Sequence, residues 1–182
     1  MAIRRIRKEG DPVLRTVCKP VTQFDESLWR LLDDMQETLK DAGGVGLAAP
    51  QVGIPKRLFI MDLGLPQMIE AINPQILKAS GKQHVVEGCL SCPDTWGYVD
   101  RPKRCRMRAQ NRKGEWYEMA FADLGAQCAC QQTFLALGES LISMFLALLR
   151  KVILLAPLAL LLPVLTGWGV WGLFIAEPVS DV

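Results

Sequence analysis

The sequence predicts an α+β fold in which helices lie before and after a mixed, largely antiparallel sheet, followed by an apolar C-terminal segment. Three observations support this class. A charged segment near the amino end has apolar residues at helical spacing. The middle of the chain consists of short apolar runs between turn residues. After residue 119, only six of the 40 charged side chains remain (21 Lys and Arg with 19 Asp and Glu in total).

Length and composition limit the possible functions. With 182 residues, the chain is long enough for one domain of ordinary size. A formal net charge of +2 argues against nucleic acid as a partner. Six cysteines are too few for a disulfide scaffold, so we expect a cytoplasmic domain with free or metal-bound thiols.

The first predicted helix has one apolar face and a defined end at each side. Asp25 is suited to cap its amino end, and Gly43 with Gly44 ends it. The apolar face is formed by Leu28, Leu31, Leu32, Met35 and Leu39.

Strands are predicted in the middle of the chain, and a helical pattern returns near residue 126. The predicted strands cover residues 57–62, 71–77, 83–87, 101–108 and 116–119. Residues 126–137 form the second predicted helix, because the alternation typical of strands stops there.

A glycine-rich stretch, residues 43–53, is the most unusual part of the sequence. It has no Lys-Ser/Thr pair after its glycines and therefore does not match a phosphate-binding loop. One interpretation is a plain turn that leads into a proline-bounded loop. The other is a loop whose backbone approaches a ligand closely, with the Gln51 amide as a donor to a developing oxyanion.

Cys89, in the stretch of residues 87–91, is the second candidate for chemistry. It suits a buried thiol, a metal ligand or a nucleophile. A nucleophile normally needs a histidine, and the one histidine, His84, lies five residues back on the same predicted strand. An odd spacing on a strand places the two side chains on opposite faces.

Together, residues 46–51 (Gly-Leu-Ala-Ala-Pro-Gln) and 87–91 (Glu-Gly-Cys-Leu-Ser) resemble the first two signature motifs of the peptide deformylases. Residues 11–15 and 99–102 agree with the same family in order. The resemblance implies a sheet wrapped around a central helix in a domain of residues 1–138. It also implies hydrolysis of the N-formyl group from the N-terminal methionine of newly made polypeptides.

The resemblance implies roles for four residues. Cys89 would be one of three protein ligands to a catalytic Fe²⁺ or Zn²⁺. Gly46, the Gln51 side chain and the Leu90 backbone N–H would orient the formyl group and stabilise its oxyanion. The implied partners are N-formyl-methionyl peptides or nascent chains.

The third family motif, His-Glu-x-Asp-His, is missing. Gln131 and Leu135 stand at the histidine positions, and Gln132 stands at the position of the general-base glutamate. The chain is therefore predicted to bind catalytic metal weakly and to be inactive or strongly impaired. Replacement thiolates remain an alternative, with Cys128 joining Cys89 and with Cys92 or Cys130 nearby in sequence.

Residues 139–182 form a predicted apolar tail. Within it, residues 152–176 contain no charge and are long enough to span a membrane, which would leave the N-terminal domain in the cytoplasm. Three interpretations stay open. In the first, a frameshift, splice or assembly error destroys the third motif and the tail is translated in the wrong frame. In the second, the tail anchors a non-catalytic, membrane-tethered binding domain. In the third, the chain is a working deformylase with an unusual metal site.

Overall fold

The computed structural model describes residues 2–138, and the predicted tail at 139–182, with its candidate span at 152–176, lies outside them. Two α-helices and seven strands form the described part. The elements are α1 (Glu26–Ala42), β1 (Gly46–Ala48), β2 (Leu58–Met61), β3 (Ile69–Ser80), β4 (Gln83–Cys89), β5 (Cys92–Arg101), β6 (Arg104–Gln110), β7 (Trp116–Ala122) and α2 (Asp123–Leu137). Short 3₁₀ helices cover Pro12–Arg15 and Ala49–Val52.

Helix α1 forms where its sequence pattern predicts it. The Asp25 side chain accepts a hydrogen bond from the Leu28 N–H at 3.1 Å, so the predicted N-cap is confirmed. Gly43 ends the helix with a φ of 63°, a left-handed conformation that glycine adopts without strain. The predicted apolar face is buried along its whole length.

The strands form two separate antiparallel sheets, which corrects the expectation of one mixed sheet. The larger sheet has five strands in the order β1-β2-β3-β6-β7, and β4 pairs with β5 alone. Short connections between consecutive strands favour antiparallel pairing. Within residues 2–138 the parallel contact is an isolated bridge between Lys19 and Lys56.

Helix α2 packs on the five-stranded sheet and closes the larger core cluster. It contacts β1, β2, β3, β6 and β7, which agrees with the central helix expected from the sequence. Its buried face is made of small residues, among them Ala126, Ala129 and Ala136, and this allows close packing on the strands. No helix in the described range 2–138 is both long and apolar enough to cross a membrane.

Candidate active site

A cavity of about 570 Å³ opens between the start of β1, the β4–β5 hairpin and one face of α2. Both glycine-containing stretches that the sequence analysis singled out contribute to its wall. Five of the seven predicted site residues line it, namely Gly46, Cys89, Leu90, Gln131 and Gln132. The fold therefore brings together residues that are up to 86 positions apart in sequence (132 − 46).

Gln51 does not line the cavity itself but contacts Cys89, which does. Its side chain is buried, and its Oε1 accepts a hydrogen bond from the Ala48 N–H at 2.9 Å. That bond orients the Nε2 donor toward Cys89 Sγ at 3.5 Å and Ser91 Oγ at 3.2 Å. The Arg7 N–H fixes the same residue by donating to the Gln51 carbonyl oxygen at 2.7 Å. The amide is thus held with its donor side toward the thiol.

The N-terminal segment also holds the turn between β4 and β5. Lys8 Nζ donates to the Leu90 carbonyl oxygen at 2.8 Å. The Glu9 N–H donates to the carbonyl oxygen of Ser91, also at 2.8 Å. These two bonds restrict the peptide groups that follow Cys89 and so position the turn beside the cavity.

Gly46 allows α2 to approach β1 more closely than any other residue would. A Cβ atom at this position would lie 2.7 Å from Cys128 Sγ and 2.8 Å from Cγ of Gln132. Real Cβ contacts do not reach such distances, so a side chain here would displace the helix. The glycine of the first motif therefore sets the depth of the cavity at this wall.

Two glutamines on α2 hold the edge of β4. Gln127 Nε2 donates to the Val86 carbonyl oxygen at 3.4 Å, and Gln131 Nε2 donates to the Gly88 carbonyl oxygen at 3.2 Å. The two glutamines are four residues apart and therefore lie on one face of the helix. In this structure Gln131 holds strand β4 against the helix by a hydrogen bond to its backbone, a role that the sequence position of Gln131 did not indicate.

The residues after Gln131 differ sharply in environment. Gln132 is 4% exposed and lines the cavity, and its Oε1 has no hydrogen-bond partner among residues 2–138. The buried Thr133 hydroxyl also lacks one in that range. Leu135 packs against the larger hydrophobic cluster and does not line the cavity. An unpaired buried acceptor costs free energy, so Gln132 favours a ligand that brings an N–H donor.

One buried ion pair stands beside the cavity. Glu87 accepts two hydrogen bonds from Arg101, both at 2.8 Å, and its side chain is 7% exposed. The bidentate pairing compensates for taking the carboxylate out of water and raises the pKa of the Arg101 guanidinium. The carboxylate is therefore committed to a structural pair, although Glu87 contributes to the cavity wall.

The thiols on α2 differ in pKa because their surroundings differ. Burial raises the pKa of Cys128 to about 12, and the negative charge of Glu87 adds to this effect. The neighbouring Cys105 thiol and the positive charge of Arg101 lower the pKa of Cys130. Only Cys128 of these three thiols lines the cavity, and its thiol stays neutral near pH 7.

His84 lies away from Cys89. Its Nδ1 is 2.9 Å from Oδ1 of Asp100, and its ring stacks on Tyr98 with 5.3 Å between the ring centroids. The side chain is exposed and is not part of the cavity wall. A Cys89–His84 dyad is therefore not formed.

The arrangement of the motifs matches one family along nearly all of the described chain. A family model for polypeptide deformylases matches residues 3–135. The chain belongs to the peptide deformylase family. A relative from Heliobacterium modesticaldum named peptide deformylase is 51% identical over 124 residues, which are 68% of this chain and 82% of the relative. One from Clostridium botulinum is 53% identical over 127 residues, or 70% of this chain and 86% of that one.

Solved deformylase structures support the same assignment. A peptide deformylase from Legionella pneumophila superposes with a TM-score of 0.74 at 39% identity, covering 75% of this chain and 82% of that chain. The peptide deformylase from Thermotoga maritima gives a TM-score of 0.73 at 41% identity, covering 76% and 94%. The deformylase fold is thus shown for the described domain.

Deformylases depend on a metal ion, and the residues of this chain do not fit one. Residues 2–138 contain no group of three or more His, Cys, Asp or Glu side chains placed to hold an ion. Beside Cys89, the positions expected to supply ligands carry Gln131, whose amide is bound to a strand, and the apolar Leu135. A lone thiolate with a neutral amide is a poor donor set for Fe²⁺ or Zn²⁺.

Sequence reasoning missed Lys8 and Gln127 as parts of the deformylase site. Both act through hydrogen bonds to backbone carbonyls of the β4–β5 hairpin. A hydrogen bond to a backbone carbonyl does not require a particular residue type at the partner position. No sequence motif therefore pointed to Lys8 or Gln127. The four-residue spacing of Gln127 and Gln131 was the one available signal for a shared helix face.

Proposed function

We propose that this deformylase-family domain binds the N-formyl-methionyl end of newly made polypeptides, and that it hydrolyses the formyl group weakly or not at all. One observation carries the proposal. The cavity keeps the first two motifs, with Gly46, Cys89 and Leu90 in its wall, and presents amides where the third motif would supply acid–base and ligand groups.

The retained groups are complementary to a formamide. A formamide has one carbonyl acceptor and one N–H donor. The Gln51 amide donates to Cys89 Sγ and Ser91 Oγ, and turning one N–H from the sulfur toward the cavity would supply a donor to the formyl oxygen. The unpartnered Oε1 of Gln132 suits the N–H. Binding would therefore satisfy a buried acceptor that is unsatisfied by residues 2–138.

The same substitutions weaken catalysis. A neutral glutamine at position 132 has no basic group to accept a proton from the attacking water, and general acid–base catalysis contributes about 10²–10⁴-fold. Gln131 and Leu135 offer no strong ligand, so we propose that Fe²⁺ or Zn²⁺ is not held tightly.

The experiment compares binding and turnover of two peptides by the full-length chain in detergent micelles. N-formyl-Met-Ala-Ser and N-acetyl-Met-Ala-Ser differ only in the acyl group. Titration calorimetry is expected to show tighter binding of the formyl peptide, because the acetyl methyl group needs space that the formyl hydrogen does not. Gln132→Leu is expected to weaken formyl-peptide binding about threefold to tenfold.

The control variant is Gln75→Leu, which changes an exposed glutamine on β3 and is expected to leave binding unchanged. Equal affinity for the two peptides would show that formyl recognition is wrong. Turnover with added Fe²⁺, Ni²⁺ or Co²⁺ that Cys89→Ser abolishes would overturn the proposed impairment.

A second candidate function comes from the composition of the tail. We propose as the alternative that residues 152–176, which carry no charge, tether a non-catalytic binding domain to a membrane. Arg150 and Lys151 precede that stretch, and such basic flanks favour a cytoplasmic position for the N-terminal domain.

A further inference from the structure

We propose that Cys89 and Cys92 are a redox-active pair that forms a reversible disulfide across the turn between β4 and β5. Thiol chemistry at the hairpin goes beyond peptide binding and rests on one part of the proposed function, namely that no tightly held metal occupies Cys89.

The strand register places the two residues directly opposite each other. Cys89 pairs with Cys92 at the end of the β4–β5 ladder. Opposite residues in an antiparallel pair have Cα atoms about 4.5–5.5 Å apart and side chains on the same face. A disulfide requires Cα atoms about 4.4–6.8 Å apart, a range that includes the spacing of opposite strand residues. The register irregularity between Gly88 and Cys89 lies on the side of the pair away from the turn.

Both sulfur-bearing side chains are accessible from the cavity. Cys89 and Cys92 are half-buried and line its wall, and Cys128 lines the same wall but is buried. A small reagent in the cavity therefore has better access to this pair than to Cys128. The turn is held in place by the Lys8 hydrogen bond to the Leu90 carbonyl, which keeps the two strand ends together.

The reaction is a thiol–disulfide exchange with a low-molecular-weight disulfide such as glutathione disulfide. The Cys89 thiolate attacks one sulfur of the reagent, breaks its S–S bond and releases one thiolate. The Cys92 thiolate then attacks the Cys89 sulfur, forms the protein disulfide and releases the second thiolate. Two electrons pass to the reagent, and the two protons lost by the protein thiols go to the released thiolates.

The disulfide would change the peptide cavity directly. In the reduced protein, Gln51 Nε2 lies 3.5 Å from Cys89 Sγ. Linking that sulfur to Cys92 fixes it toward the hairpin and alters the partner of the Gln51 amide. The redox state of the pair thereby regulates the group that we propose to recognise the formyl oxygen.

The sequence offers a simple readout. Trypsin cuts after Lys82 and after Lys103, while the Arg101-Pro102 bond resists it, so one peptide, 83–103, carries both cysteines and no others. The full-length chain is treated with glutathione disulfide, alkylated with iodoacetamide, digested and analysed by mass spectrometry. We expect to find this peptide unalkylated, with a mass two hydrogens below that of its reduced form. If the chain is first reduced with dithiothreitol, we expect both cysteines of the peptide to be alkylated.

Variants separate the pair from other thiols. Cys128→Ser removes a cavity thiol that has no opposite partner and is expected to leave the disulfide unchanged. Cys92→Ser and Cys92→Ala are both expected to stop at a mixed disulfide of Cys89 with glutathione. A doubly alkylated peptide 83–103 after oxidation, or a cross-link from Cys89 to Cys128, would overturn the proposal.

A further arm distinguishes this inference from the proposed function. Prior addition of Zn²⁺ or Fe²⁺ is expected to leave the oxidation unchanged. The alternative result is that the ion protects Cys89 from oxidation while the metal-free chain still forms the disulfide. That result would support the redox pair and show that the proposed lack of tight metal binding is wrong.

Discussion

Gly46 shows how one missing side chain determines the shape of the site. Replacing it with alanine would place a Cβ atom 2.7 Å from Cys128 Sγ. We expect Gly46→Ala to lower the free energy of unfolding by about 1–3 kcal/mol, because β1 and α2 must move apart. Urea denaturation measures the change.

The matched control for this substitution is Gly97→Ala on the exposed strand β5. A Cβ atom at Gly97 would meet nothing within 4 Å, and the residue does not have a positive φ. Its free energy of unfolding should therefore stay near that of the parent chain. An equal loss in both variants would contradict the close approach of α2 to β1.

Cys128 makes stability depend on pH in the alkaline range. Its pKa is raised from 9.0 to about 12 by burial in the folded chain. The raised pKa means that stability is intact below pH 9 and is lost as pH rises toward 12, because the unfolded chain ionises first. The thiol should account for a loss of about 1 kcal/mol between pH 9 and pH 10.

The measurement compares the parent chain with Cys128→Ala by urea unfolding at pH 8, 9 and 10. The variant is expected to lose less stability over this range, whatever its stability at pH 8. Parallel curves for the two proteins would show that Cys128 ionises as readily in the folded chain as in the unfolded one.

At the scale of an element, α2 carries the whole difference between this chain and the family's catalytic motif. We expect the triple variant Gln131→His, Gln132→Glu, Leu135→His to bind added Fe²⁺ or Ni²⁺ and to gain deformylase turnover. The double variant that keeps Gln132 should bind metal with turnover about 10²–10⁴-fold lower, since it lacks the base.

Metal analysis after gel filtration and a deformylation assay check both variants. Circular dichroism shows whether the new imidazole at position 135, where Leu135 packs against the core cluster, is tolerated. A folded triple variant that holds no metal would mean that restoring these three side chains is not enough, with Phe134 still at the aspartate position of the motif.

Elements with a strong local pattern were predictable from the sequence. The spacing of Leu28 and its partners, with caps at Asp25 and Gly43, defined α1, and the structure confirms both ends. The buried strand predicted at 57–62 agrees with β2 at Leu58–Met61. In each case local chemistry and burial favour the same conformation.

Other elements had no such signal. Strand β5 (Cys92–Arg101) is exposed over most of its length and contains Gly97, so no alternation of apolar and polar residues marks it. The split into two sheets depends on pairing between distant strands, such as β3 with β6. At the site, the motif residues could be identified from the sequence. The hydrogen bond from Gln131 to β4 and the unpaired Gln132 oxygen could not, because both depend on how α2 packs.

At the scale of the whole molecule, the uncharged stretch 152–176 leads to a prediction about partitioning between water and detergent. We propose that residues 152–176 insert into a membrane, and we expect the full-length chain to enter the detergent phase in Triton X-114 partitioning. Leu161→Arg combined with Leu162→Arg should move it to the aqueous phase or to aggregates, because each central charge costs about 2.5–3.5 kcal/mol in a bilayer.

Recovery of the unsubstituted full-length chain in the aqueous phase would remove the anchor proposal. Sequencing the gene and its transcript from codon 120 onward tests the frameshift interpretation independently. If shifting one base near codon 130 restores a His-Glu-x-x-His reading, the tail and the missing motif have one common cause.

The β4–β5 hairpin has a mechanical consequence. Neither hydrophobic core cluster contains a buried residue from β4 or β5. The hairpin is bound to α2 by hydrogen bonds from side chains such as those of Gln127 and Gln131. A unit attached in this way unfolds locally at a smaller free energy than the whole domain. We therefore expect the hairpin to open as a separate foldon, with its amide protons exchanging faster than those of the five-stranded sheet.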